Sequence, residues 1–308
     1  MVALTIEEVI ALKSLPGVGD GTIRKLIELL SSIGEDISAS ETLKLISQPS
    51  VKLGKSQIAI TQFYNPDNFS RHIEDAKTKL SAYRELGVDV LSISCPDYPH
   101  EFRKLKDPPA ILYCKGDMSL LNRRTKIAIV GTRNPTLVGS SIAKKTAAAL
   151  AGKDVVIVSG LALGIDSQAH LGCISVDGKT ISILVDVEKV SPAQNRNLAD
   201  NILKKGGLLI AENPPGERIF PQLFAKRDRL QSALSKALIV VETSIDGGTM
   251  HAARAAKDMN IPIYVPDVEK ISLYDDLSID QLQGIVELKN NFAATPYTKA
   301  DYDLLIAS

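Results

Sequence analysis

From residue 125 onward, apolar positions come in short unbroken runs separated by longer stretches with helical spacing. The runs are Lys126–Val130, Asp154–Val158, Thr180–Val185, Gly207–Ala211, Ala237–Val241 and Ile261–Val265. Between them lie helical patterns at about Leu137–Ala151, Ile165–Val176, Ala193–Lys204, Leu223–Leu234 and Thr249–Met259. Apolar runs without alternation are the signature of strands buried on both faces. Strands alternating with helices force right-handed crossovers, so the pattern predicts an α/β fold with a parallel, Rossmann-like sheet.

The first part of the chain differs. Leu12, Leu15, Ile23, Leu26, Ile27 and Leu30 recur at helical spacing around Leu15-Pro16-Gly17-Val18-Gly19-Asp20. This reads as two short helices around an apolar-Gly-apolar-Gly turn, a helix-hairpin-helix-like element. Such a turn either offers backbone N–H groups to a DNA phosphate or merely joins two helices. A second helical pair is expected between Ser40 and Ile60. A longer amphipathic helix is expected at about Asp67–Glu85, then a strand over Val88–Ile93. The proline-dense segment Pro96 to Tyr113 reads as an ordered connector. The expected organisation is a helical domain over 1–85, a Rossmann-like domain over 86–270 and a tail over 271–308. The tail is expected to hold one helix near Ile279–Leu288 and no full winged helix.

The strand ends carry the chemistry. In open parallel sheets ligands bind beyond the carboxyl ends of the strands, where glycines permit close approach and helix N-termini offer N–H groups to anions. Gly131-Thr132-Arg133 follows one strand. A dinucleotide fold would need Gly-x-Gly-x-x-Gly there and an acid ending the next strand, and neither is present. Arg133 instead brings a permanent cation with a planar donor fork, which suits phosphate. Ser159-Gly160-Leu161-Ala162-Leu163-Gly164-Ile165-Asp166 forms a second turn, in which Ser159, Gly160, Leu161 and Gly164 are candidate phosphate contacts and Asp166 is a helix cap. His170, one helical turn on, is expected to hydrogen-bond Asp166. Gly247-Gly248-Thr249 makes a third turn, with Thr249 as N-cap or phosphate-binding hydroxyl. Phe220 and the cluster Lys226, Arg227 and Arg229 supply an exposed ring and cations, the ingredients of a single-strand site.

Lys+Arg and Asp+Glu both total 36, which disfavours a basic coat protein but leaves room for a local patch. The 3 cysteines have neither zinc spacing nor a disulfide framework, as expected of a reducing compartment. No leader pattern or membrane-length apolar segment is evident, so a cytoplasmic protein without membrane partners is expected. With aromatic residues at 5 % and no tryptophan, extensive base stacking is disfavoured.

Taken in order, these pieces resemble the DprA (Smf, DNA-processing) family. The resemblance is carried by Asp97-Tyr98-Pro99 with Asp107-Pro108-Pro109-Ala110-Ile111-Leu112-Tyr113, by Ile129-Val130-Gly131-Thr132-Arg133 and by Ser159-Gly160-Leu161-Ala162 through Gly164-Ile165-Asp166 to Ala169-His170. Pro214-Pro215-Gly216, Phe220-Pro221 with Arg227-Asp228-Arg229, and Val240-Val241-Glu242 complete it. The resemblance implies a homodimeric, non-catalytic single-stranded DNA-binding protein that needs no cofactor and assists RecA loading during natural transformation, with Arg133 as a phosphate ligand. A role in a toxin–antitoxin or phage-defence module, with a cognate toxin or defence protein as partner, is the alternative within the family. The chain departs from the family pattern at Asp228, where Arg-Asn-Arg is usual, at Gly247-Gly248-Thr249, where Ser-Gly is usual, and at Val185-Asp186-Val187-Glu188, where the family has a glycine-rich turn. Two readings compete. A nucleotide phosphoribohydrolase of the lysine-decarboxylase-like (LOG) group would need a glutamate at position 252, where this chain has Ala252. A nucleotide sensor would keep the fold without the strand.

Overall fold

The computed structural model describes residues 4–32, 37–270, 274 and 279–307. The chain divides into two units, Met1–Tyr113 and Cys114–Ser308. In the first, α1 (Ile6–Lys13) begins with a capping box, in which Thr5 N–H donates to Glu8 at 2.8 Å and Glu8 N–H returns a bond to Thr5 Oγ1 at 3.2 Å. Then α2 (Asp20–Ser31), α3 (Ala39–Ile46), α4 (Gln57–Phe63) and α5 (Pro66–Glu85) follow. Leu12, Ile23, Leu26 and Leu30 are buried, as their spacing predicts, while Leu15 and Ile27 are half-buried. Gly17 makes the α1–α2 turn with φ +76°, where a side chain would be strained. Asp20 at the start of α2 pairs with Lys13 and accepts the Ala110 N–H at 3.2 Å, so an acid stands where the hairpin would meet a phosphate.

The strand β1 (Asp89–Ser92) and helix α6 (His100–Arg103) come next. The connector expectation is corrected at its end. A strand, β2 (Ile111–Gly116), begins two residues after Pro109. The prolines stop short of it, so its N–H groups are all present for pairing.

The second unit matches the alternating pattern. Its strands are β3 (Lys126–Val130), β4 (Val156–Ser159), β5 (Thr180–Leu184), β6 (Leu208–Ala211), β7 (Ala237–Val240), β8 (Ile263–Pro266) and β9 (Thr295–Tyr297). They pair in the order β6-β5-β4-β3-β7-β8-β9, and every pair is parallel. The helices are α7 (Leu137–Ala151), α8 (Ile165–Ile174), α9 (Arg196–Lys204), α10 (Pro221–Ala233), α11 (Thr249–Asp258), α12 (Asp280–Asn291) and α13 (Tyr302–Ala307). α7 and α8 pack on each other and bury Ala143, Ala147, Leu150, Ile165, Ala169 and Cys173 against Ile127, Ile129 and Ile239. Strand order reverses between β3 and β7: β4, β5 and β6 extend to one side of β3, and β7 and β8 to the other. A crevice opens at such a switch point, beyond the carboxyl ends of the strands.

Candidate nucleic-acid interface

The loops after β3 and β7 meet at this switch point. Thr132 N–H donates to the Glu242 carbonyl at 2.7 Å. The Glu242 carboxylate is fully buried and accepts from Thr136 N–H (2.9 Å), Thr136 Oγ1 (2.6 Å) and the Tyr274 hydroxyl (2.8 Å). Burial and that carboxylate push the Tyr274 phenol well up, which keeps it a donor. Thr136 in turn caps α7, accepting Gly139 N–H at 2.9 Å. Gly139 has no alternative at this site, because a Cβ would lie 2.2 Å from Glu242 Cδ.

The turn after β4 docks on the same loop. Gly164 has φ +81°, and a Cβ there would meet the carbonyls of Thr132 and Arg133 at 2.4 and 2.6 Å. Ile165 N–H donates to Thr132 O at 3.2 Å. These contacts fix the path of Gly131-Thr132-Arg133. They leave the Arg133 side chain exposed, with no hydrogen bond or ion pair among the described residues.

Between the loops lies a cleft of about 380 Å³. Gly131, Thr132, Arg133, Gly247, Gly248 and Thr249 line it, together with Phe224, Arg227, Asp228 and Gln231 from α10. The cleft therefore gathers seven of the sequence candidates, Arg227 and the six residues of the two glycine loops, and Gly164 docks against one of those loops without lining it. Gly248, and not Thr249, is the N-cap of α11, so the Thr249 hydroxyl is not spent on capping. The N–H groups of Gly248 and Thr249 have no acceptor among the described residues. A neighbouring hollow shares Arg133, Ala162, Phe224 and Arg227 with the cleft and adds Leu163, Pro192 and Pro221. One groove thus has a polar, glycine-lined half and a more apolar half, with Arg133 between them.

Other candidates lie elsewhere. Ser159 is fully buried and its hydroxyl donates to the Ile129 carbonyl at 2.6 Å. Leu161 is fully buried at φ +59°, and its carbonyl accepts from Asn195 Nδ2 at 2.8 Å. Gly160 N–H points at Asp166, which accepts it at 3.2 Å and Ala162 N–H at 3.3 Å. Asp166 thus staples the turn after β4 and does not cap α8, whose N-cap is Gly164. The expected Asp166–His170 bond is also replaced: His170 Nδ1 pairs with Thr180 Oγ1 at 2.7 Å. Burial, reinforced by the Arg227 charge, pushes His170 down to about 3 and keeps it neutral.

The cation cluster on α10 is largely neutralised. Arg229 donates both Nη atoms to Glu212, at 2.8 and 3.0 Å, and Lys226 reaches the same buried carboxylate at 2.9 Å. Arg227 is buried, with Nη1 3.3 Å from Asp228. Burial raises the carboxyls of Asp166, to about 6, and of Asp228, each against the pull of Arg227. Arg133 also draws Asp228 down. Phe220 stands exposed at the N-cap of α10, with the Arg218 guanidinium 5.1 Å from its ring centre. Phe224, Asp228 and Gln231 were not among the sequence candidates. For Phe224 and Gln231 the signal was helical spacing, three residues before and four after Arg227 on α10; Asp228, next to Arg227 in sequence, has no such spacing.

The family model of the DNA recombination-mediator protein A family matches residues 89–304. The chain is 34 % identical to the DNA processing protein DprA of Bacillus subtilis over 226 residues, 73 % of either chain. It is 32 % identical to the protein Smf of Synechocystis over 218 residues, 70 % of this chain and 53 % of that one. DNA processing protein A of Streptococcus pneumoniae shares the fold, with a TM-score of 0.79, 23 % identity and coverage of 98 % of this chain and 97 % of that one. DNA processing protein A of Helicobacter pylori, whose structure was described for its single-stranded DNA binding mode, aligns at a TM-score of 0.62 and 29 % identity over 71 % of this chain and 96 % of that one. The chain belongs to the DNA recombination-mediator protein A family.

Proposed function

We propose that the groove at the β3/β7 switch point holds the backbone of single-stranded DNA without cleaving it. The observation that carries this reading is Arg133, an exposed guanidinium with no hydrogen bond or ion pair among the described residues, set beside a glycine-lined cleft whose α11 end offers two N–H groups. The Helicobacter pylori relative, known for its single-stranded DNA binding mode, supports it. A narrow cleft with a flexible chain fits better than a duplex, because single strands can thread between a phosphate-holding wall and apolar side chains.

Binding without chemistry is supported by the groups that stand in the cleft. Asp166 is committed to two backbone N–H groups and Asp228 accepts from Gln231 at 2.9 Å. Ala252, which lines the cleft, brings a methyl group where the phosphoribohydrolase chemistry needs a carboxylate. Family membership extends the reading to handing a strand to the recombinase RecA, in a cytoplasmic homodimer. Sedimentation equilibrium checks the dimer and RecA filament assembly on protein-coated strands checks the transfer.

The test of the strand site is fluorescence anisotropy with labelled single- and double-stranded oligonucleotides. Arg133→Ala is expected to weaken single-strand binding about tenfold, alike for all sequences, because phosphate contacts carry no base information. Equal affinity with and without Arg133 would overturn the site.

A further inference from the structure

A second cavity, of about 390 Å³, lies at the carboxyl ends of β8 and β9, against the first half of α7. It shares no lining residue with the strand groove. Its volume falls in the range of small-molecule sites, and its place beyond the strand ends is where this class of sheet binds ligands.

Three features limit what it takes. Lys145, Lys270 and Lys299 line it and no carboxylate does. Asp267 pairs with Lys270 at 2.8 Å, but Asp301 is spent on Thr298, whose N–H and Oγ1 donate to it at 2.7 and 2.8 Å. Lys145 and Lys299 make no ion pair among the described residues. The floor carries hydroxyls: Thr146 Oγ1 lies 3.1 Å from the Tyr297 hydroxyl and 3.3 Å from that of Tyr302. The remaining wall is apolar, with Val138, Ile142 and the half-buried Tyr302 ring. A bare anion would satisfy the lysines and leave that wall in water. A hydrocarbon would do the reverse. A flat heterocycle joined through a hydroxylated sugar to a phosphate meets all three.

We propose that this cavity is a nucleotide site, with the phosphate on Lys145 and Lys299, the sugar over the hydroxyl floor and the base against Ile142 and Tyr302. The nucleotide is either free or one residue of a strand. The proposal stands independently of the groove around Arg133.

Isothermal titration of the full chain with deoxyadenosine monophosphate, inorganic phosphate and an oligodeoxyadenylate tests it. The mononucleotide is expected to bind the wild-type chain and Arg133→Ala alike. It should bind about tenfold or more weaker to the double variant Lys145→Glu, Lys299→Glu, each charge-assisted contact being worth about that much. Inorganic phosphate alone should bind more weakly than the mononucleotide. Oligonucleotide affinity unchanged by the double variant assigns the site to free nucleotides, and a matching loss assigns it to a residue of the strand. Both lysines are exposed, and Lys145→Ala, Lys299→Ala with an unchanged melting temperature serves if the glutamates perturb folding. No binding of the mononucleotide, equal binding by the double variant, or loss of binding in Arg133→Ala would each overturn the proposal.

Discussion

Gly160 is glycine because Arg227 fills the space of a side chain: a Cβ would lie 1.5 Å from Nη1 and 2.8 Å from Asp166 Oδ2. Neither neighbour can yield, since Arg227 is buried between α10 and the turn and Asp166 holds two N–H groups. Gly160→Ala is therefore expected to cost on the order of 2 kcal/mol or more by overpacking, read by urea denaturation. Asp166 itself predicts a pH dependence. Its carboxyl is raised from 3.8 to about 6, mainly by burial, so the folded chain binds the proton more tightly than the unfolded chain. Stability from this group is fully present below about 3.8 and is lost as the pH rises through 6. The lowered carboxyls of Glu41, Asp177 and Asp301 act below their ordinary values, outside the window from 5 to 7 where Asp166 changes. Asp166 thus contributes on the order of 1 kcal/mol in favour of pH 5 over pH 7, against His170, which burial holds down to about 3 from an ordinary 6.5 and which therefore favours pH 7 over the same window. Asp166→Asn, which has nothing to titrate, should lose that contribution, so between pH 5 and pH 7 its unfolding free energy should rise by about 1 kcal/mol more than that of the wild type. An unchanged difference in the variant would assign the effect elsewhere.

At the scale of the element, α10 shows how charge near a site divides between holding the fold and holding a ligand. Glu212, at the end of β6, is buried and takes both Nη atoms of Arg229 and the ammonium of Lys226. Removing Arg229 leaves a buried carboxylate short of its main partner, so Arg229→Ala is expected to destabilise the chain by about 3 kcal/mol. Its effect on single-strand affinity should be smaller than that of Arg133→Ala, which should leave the melting temperature unchanged. Reversed effects in the two variants would move the strand from Arg133 to α10. The run Lys226 to Arg229 was legible as cationic but not as neutralised, because Glu212 lies 14 positions upstream of Lys226 and only the fold brings them together. Most strands were legible because a buried parallel strand needs apolar residues on both faces. β3 and α7 have the bounds that their patterns predict. β9 left no comparable signal. It has three residues, one of them Pro296, which its edge position tolerates because only one side pairs. In the site, Gly131, Arg133 and the Gly247–Thr249 turn were legible from their place after strands. Ser159, Gly160 and Leu161 share that place, but their inward orientation depends on Asp166, Asn195 and the Ile129 carbonyl, set by tertiary packing.

The whole molecule carries 36 cationic and 36 acidic side chains, so no long-range field draws in a polyanion. What remains is local. In the groove Arg133 and Arg227 face Asp166 and Asp228, while Lys226 and Arg229 share Glu212. The full charge left for a phosphate at pH 7 is chiefly that of Arg133, with the α11 N–H groups adding dipoles that displace no counterion of their own. Each phosphate neutralised on a single strand contributes about −0.7 to the slope of log affinity against log salt. The chain should therefore show a shallow slope, about −1, where a protein with six or more cationic contacts would show −4 or steeper. Arg133→Ala should flatten it by about 0.7. Lowering the pH to about 5 neutralises Asp166, whose carboxyl stands near 6, and moves Asp228, also raised, in the same direction. Arg227 is then less compensated, so affinity should rise and the slope should steepen. The same titration in Asp166→Asn should already show the steeper slope at pH 7. A slope that is steep at pH 7, unaffected by Arg133→Ala and insensitive to pH would mean that the strand follows a different and more basic path across the surface.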